Sequence, residues 1–309
     1  MQFDLWKERF REWLTLRFSS LDTVKGYLSG ITPFFGFVRE LGFSTWTEVT
    51  RDVLDEYRNR QFYSKHHRTG RALSVGTHVS RLIAVKIFFR FLAREGFLLA
   101  DPAAHLELPR MKKPLPAVLS EVEVGRLMEI PDLHTLGGIR DRTLLEVLYG
   151  TALRNSETCS LTLDQVDLGT HLIRLQKGKG DKGRVVPLGE EAQAWLEIYL
   201  EKVRPKWLRN PALTAIFLDR WGHNALSRCG LSQIVRAVGQ RAGLGKAVSP
   251  HMLRHSCATH MLRGGASLRH LQELLGHSTL SSTEHYTRVE VSDLRKVLSR
   301  CHPRERKKP

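Results

Sequence analysis

Apolar residues recur at helical spacing through the first hundred positions, and no stretch there alternates with period two. Residues 3–18 set Phe3, Trp6, Phe10, Trp13 and Leu14 among Lys, Arg and Glu. A second stripe, 21–41, carries Tyr27, Ile31, Phe34, Phe35 and Val38, stops at Gly42 and is predicted to kink at Pro33. RDVLDEYRNRQFY, after Thr50, reads as a third helix, and residues 74–95, ended by Gly96, as a fourth. The pattern predicts a four-helix module over residues 1–100.

Beyond it the pattern changes. Residues 101–117 are rich in proline and read as a linker. Ser120 and Glu123 fit a capping box, and residues 139–149 a buried helix, with Arg154 at the approach to another. DQVDLGTHLIRLQKGKGDKGRVVPL alternates around Gly and Asp, predicting a short antiparallel sheet with Lys179 at a hairpin tip. Helices are expected at 190–203 and 226–242, with a brief strand at 215–218 between them.

The densest chemistry lies at 249–287. Ser249 as N-cap and Pro250 at the first helical position place His251, Arg254 and His255 on one polar face, and Gly264-Gly265 ends that helix. Leu268 to Leu275 forms the next, closed by Gly276, with His277 on a loop and Tyr286 beyond it. A helix at 291–300 and a disordered basic tail finish the chain. The fold class is therefore mainly α with a small antiparallel β-sheet, the sheet belonging to a C-terminal domain at 118–309.

Charge narrows the partners. Lys and Arg number 48 against 32 Asp and Glu, a formal net charge of +16, which points to a polyanion such as nucleic acid. In the first half the candidate contacts are Lys65, His66, His67, Arg68 and Arg71 in a basic loop, and Arg81, Lys86 and Arg90 on the fourth helix. Cys159, Cys229, Cys257 and Cys301 form no CxxC pair, which argues against a zinc ribbon or a disulfide framework. With no signal peptide or membrane-length apolar run, a cytoplasmic, nucleoid-associated protein is expected.

Two sharper motifs fail. His251 and His255 mimic a zinc helix, yet Met252 stands where HExxH requires Glu and no third ligand set accompanies them, so no metal is expected. GKGDKG lacks the Walker spacing and its terminal Ser or Thr.

Arg154 in TALRNSE, Lys179 in GKGDKGRVVPL, HMLRH at 251–255, LGH at 275–277 and Tyr286 together resemble the tyrosine recombinases of the phage integrase family, most closely the Xer-like branch. The resemblance implies a helical core-binding domain that grips DNA and an α+β catalytic domain. A free tyrosine has a pKa of about 10, so attack on a phosphodiester needs proton removal and neutralisation of the charge building on phosphate. By resemblance Tyr286 is the nucleophile of a 3′-phosphotyrosyl intermediate, while Arg154, Arg254 and His277 hold the phosphate. His251 serves as acid/base, Lys179 protonates the leaving 5′ oxygen, Glu157 orients a cation and His255 supports the site. The resemblance further implies a homo-tetramer on two double-stranded DNA sites, in some cases with a second recombinase, exchange through a Holliday junction, and no metal, ATP or other cofactor. It covers integration, dimer resolution and transposition. The alternatives are type IB topoisomerase-like relaxation and a DNA-binding protein with a vestigial catalytic set.

Overall fold

A computed structural model describes residues 3–18, 20–65, 70, 72–109, 117–175, 183–276 and 291–305. The chain divides into two compact units, residues 1–114 and 115–309.

In the first unit, the sequence pattern becomes α1 (Phe3–Arg17), α2 (Leu21–Glu40), α3 (Arg51–Phe62) and α4 (Val75–Arg94), with a 3-10 turn at Trp46–Glu48. Ser20 and Ser74 cap α2 and α4 by accepting from the amides of Thr23 and Thr77. Helix α2 continues as one element through Pro33, the position of the expected kink. It packs closely on α4. A Cβ at Gly30 would lie 2.9 Å from that of Ala84, so only glycine lets the helices approach there. Phe10, Phe34, Phe88, Phe89 and Trp46 fill the interior, with rings meeting edge to face at 4.8–5.7 Å. Ala103 and Leu106, placed in the linker by composition, are buried in this core. Lys86 fixes that segment by donating to the carbonyls of Ala104 (2.9 Å) and Leu106 (3.0 Å).

The second unit begins at the Ser120 capping box with α5 (Glu121–Glu129), followed by α6 (Leu136–Thr151) and α7 (Asn155–Ser160). Strands β1 (Val166–Asp167), β2 (Leu172–Leu175) and β3 (Arg184–Pro187) pair antiparallel in that order, with Leu175 opposite Arg184. The expected hairpin tip, including Lys179, lies outside the described residues. Helix α8 (Glu190–Ile198) passes through a π turn at Tyr199–Val203 into α9 (Arg204–Trp207), because Pro205 cannot donate to an α-type ladder. Then come α10 (Arg228–Arg241), α11 (Pro250–Arg263), α12 (Leu268–Leu275) and α13 (Val291–Cys301).

Helix α6 is the spine of this unit: eleven of its sixteen residues are buried. Helix α13 buries Leu294, Val297 and Leu298 against its own unit, contacting β3, α11 and α12. Residues 302–305 of the tail expected to be disordered are ordered: His302 is buried and Arg304 pairs with Glu146 and Glu191. Its charges find partners on α6 and α8. Among the described residues no helix is long and apolar enough to cross a membrane.

Candidate active site

The site is assembled where the loop after α6, the N-terminus of α11 and the C-terminus of α12 meet. Ala152 leaves α6 in the left-handed conformation (φ 51°), turning the chain so that Arg154 becomes the N-cap of α7. Its backbone amide donates to Glu157 Oε2 at 2.7 Å, the reciprocal half of a capping box. Its guanidinium, still 38% exposed, donates to Glu157 Oε1 at 2.8 Å and to the Gly276 carbonyl at 2.9 Å.

On α11, Ser249 accepts from the Met252 amide and Pro250 occupies the first turn, as the sequence predicts. The face is less uniformly polar than expected. His251 is exposed, His255 half-buried and Arg254 buried at 5% exposure. Burial of a guanidinium is tolerable because carbonyls surround it: Arg254 donates to Ala152 and, at 2.7 Å, to Leu275, with Glu157 at 4.0 Å. Burial first, and then the neighbouring Arg154, lower the Arg254 pKa to about 10, which leaves it cationic at neutral pH.

Arg154, Asn155, Arg228, His251 and Arg254 line an open cleft of about 520 Å³. Three guanidinium groups and an imidazole lining one cleft suit a phosphodiester: planar forks take non-bridging oxygens, and the imidazole supplies proton transfer. Cys257 is no rival nucleophile, because burial pushes its thiol up to about 12. Among the described residues, no three His, Cys, Asp or Glu side chains cluster as metal ligands.

Arg184, on β3, was missed as a site residue. It is buried and grips Glu157 with both terminal nitrogens, at 2.7 and 2.8 Å. Burial alone would raise the Glu157 pKa, but the bonds from Arg184 and from the Arg154 amide outweigh it and hold the carboxyl at about 2. The only sequence signal was an arginine opening a strand after the two lysines of GKGDKGR, which reads equally as a solvated charge.

The structure thus brings Arg154, Glu157, His251 and Arg254 together, with His255 one turn further along α11. Lys179, His277 and Tyr286 lie outside the described residues, as do His66, His67, Arg68 and Arg71. Lys65 pairs with Ala72 in an isolated antiparallel bridge. On α4, Arg90 is exposed, whereas Arg81 donates to Gln61 at 2.8 Å and Lys86 is engaged as described above.

Residues 117–292 match the Phage integrase family, and residues 8–96 match the Phage integrase N-terminal SAM-like domain. The chain is 39% identical over 285 residues to Tyrosine recombinase XerC 2 of Ralstonia nicotianae, spanning 92% of this chain and 81% of the relative. It is 43% identical over 220 residues to Tyrosine recombinase XerD of Staphylococcus epidermidis, spanning 71% of this chain and 74% of that one. Among solved structures, XerH site-specific recombinase bound to palindromic difH substrate aligns with a TM-score of 0.65 and 23% identity, over 84% of this chain and 74% of XerH. The Tn1549 transposon integrase in complex with transposon right-end DNA aligns with a TM-score of 0.67 and 16% identity, over 96% of this chain and 98% of the integrase. At those identities the structural likeness concerns the fold.

Proposed function

Since the chain belongs to the phage integrase family and is a tyrosine recombinase, we propose that Tyr286 attacks a scissile DNA phosphate held by Arg154, Arg254 and His277. The enzyme cleaves and rejoins DNA in site-specific recombination. In the proposed step the Tyr286 oxygen forms a bond to phosphorus and the bond from phosphorus to the 5′ oxygen breaks. His251 takes the phenol proton, and Lys179 gives a proton to the departing 5′ oxygen. A 3′-phosphotyrosyl ester conserves the bond energy, so a 5′ hydroxyl from a partner duplex reverses the step without ATP. Two such exchanges pass through a Holliday junction, with four protomers on two DNA sites.

The observation that carries this reading is the convergence of Arg154, Arg254 and His251 on one cleft. Charge building on two non-bridging oxygens meets two preset forks there, and preorganised donors need little rearrangement during reaction. Glu157 keeps those forks in register. Topoisomerase-like relaxation is disfavoured, since both similar proteins named above are recombinases matched over most of their length.

Incubation with a nicked suicide substrate tests the proposal. An SDS-resistant protein–DNA adduct is expected to form in EDTA and to vanish in Tyr286→Phe. An adduct that survives Tyr286→Phe would overturn the choice of nucleophile.

A further inference from the structure

Three consecutive carbonyls at the end of α12 are each held by a different arginine. Leu274 accepts from Arg184 Nε at 3.1 Å, Leu275 from Arg254 at 2.7 Å and Gly276 from Arg154 at 2.9 Å. Carbonyls at a helix C-terminus lack intrahelical donors and carry the negative end of the helix dipole, so cations belong there. All three arginines also face one carboxylate, Glu157.

Arg184 differs from the other two. Arg154 and Arg254 line the cleft, whereas Arg184 does not, and its Nε as well as both terminal nitrogens are bonded inside the protein. It is placed to touch neighbours of the phosphate site and not the phosphate. The helix end is also shaped to it. Gly276 has φ +62°, and a Cβ there would lie 2.9 Å from the Arg184 side chain, so any other residue would push the guanidinium aside.

We propose that Arg184 is a positioning residue for strand cleavage: it occupies both oxygens of Glu157 and the last turn of α12, leaving the remaining N–H groups of Arg154 and Arg254 to the scissile phosphate. This inference rests on the reading that those two arginines hold that phosphate. Without Arg184 the half-buried carboxylate keeps, among the described residues, Arg154 and Arg254 as cationic neighbours. Arg254, now 4.0 Å from Glu157, would then close on it and Arg154, already bonded at 2.8 Å, would turn further towards it, so the DNA would lose their donors. Neutralising Glu157 in that background removes the attraction and should return part of the rate, which generic damage to packing would not allow.

The test is single-turnover cleavage of a nicked suicide substrate by the full-length protein, alongside DNA affinity and thermal melting. Arg184→Met is expected to slow cleavage about 10- to 100-fold, the range seen when a residue orienting a ligand is lost, with DNA affinity little changed. Arg184→Lys keeps the charge but cannot cover both oxygens, and should fall between. The double variant Arg184→Met/Glu157→Gln should cleave faster than Arg184→Met alone. Wild-type cleavage by Arg184→Met, or a double variant no faster than the single one, overturns the proposal. If Arg184→Met does not fold, Arg184→Lys with and without Glu157→Gln carries the same two criteria. Arg154→Ala in the same assay separates the two readings: normal cleavage by Arg154→Ala would remove the phosphate assignment itself. A slow Arg154→Ala beside an unaffected Arg184 variant would remove only the role of Arg184.

Discussion

The two units bury different kinds of side chain. Among the described residues of the first unit the buried polar or charged residues are Gln61 and His78, and the interior is a stack of aromatic rings. Several of its cations lie over ring faces: Arg9 on Trp6, Arg17 on Trp13 and Arg39 on Phe3. The second unit buries Arg140, Arg184, Arg204, Arg254 and Glu146. Taking ions out of water costs several kcal/mol each unless carbonyls or countercharges surround them. Here they are surrounded. Arg204 holds the carbonyls of Leu213 and Ala215, and Glu146 lies between Arg142 and Arg304. The contrast separates two physical tasks. Gripping a polyanion requires only a stable scaffold with charge on its surface, whereas catalysis at a phosphate requires charge held in place before the substrate arrives.

The largest expected effect tests the scaffold half of that contrast. Phe88 is wholly buried and touches Phe10, Phe35 and Trp46. Phe88→Ala should cost about 3–5 kcal/mol of stability, read from chemical denaturation, while single-turnover cleavage of prebound DNA changes far less. A cleavage defect as large as the stability loss would mean that the first unit also sets the catalytic geometry. Next comes Arg254→Ala, expected to lose about 2.7–4 kcal/mol of transition-state stabilisation, by analogy with removal of one oxyanion donor. DNA affinity should fall much less. Equal losses in binding and cleavage would reduce Arg254 to a structural cation.

A smaller effect should appear as pH dependence. The folded Glu157 carboxyl sits at about 2, below its ordinary value of 4.5. A depressed carboxylate adds stability that is fully present above pH 4.5 and disappears as pH falls towards 2. With solvent screening at the partly exposed carboxylate, the contribution is on the order of 2 kcal/mol. The stabilities of wild type and Glu157→Gln should therefore differ most above pH 4.5 and converge near pH 2. A constant difference across that window would show that Glu157 acts through shape and not charge.

Much of this arrangement was legible in the sequence because it is local. Caps at Ser120 and Ser249 announce helix starts, and the i, i+3 and i, i+4 spacings of HMLRH fix which residues share a face. Arg154 and Glu157, three apart, pair across one turn of α7. What stayed hidden depends on contacts distant along the chain. Arg184 becomes a site component only because β3 brings it to Glu157 and Leu274, 27 and 90 positions away. The order of residues 302–305 depends on Glu146, far upstream on α6. No periodicity reports such pairings.

The finest test of the contrast lies within α4, where sequence alone makes Lys86 and Arg90 equivalent basic residues. The structure divides them. Lys86 spends its ammonium on the carbonyls of Ala104 and Leu106, which ties the segment after α4 to the first unit, whereas Arg90 is exposed. A cation that neutralises a DNA phosphate releases a counterion, so its removal lowers the magnitude of the slope of log affinity against log salt by about 0.9. Arg90→Ala is expected to show that reduction with stability nearly unchanged. Lys86→Ala should leave the slope as it is and instead cost about 1 kcal/mol of stability, the usual net worth of the hydrogen bonds it loses. If Lys86→Ala flattens the slope and Arg90→Ala does not, the DNA-facing side of α4 is the side that carries Lys86, and its carbonyl contacts must open when DNA binds.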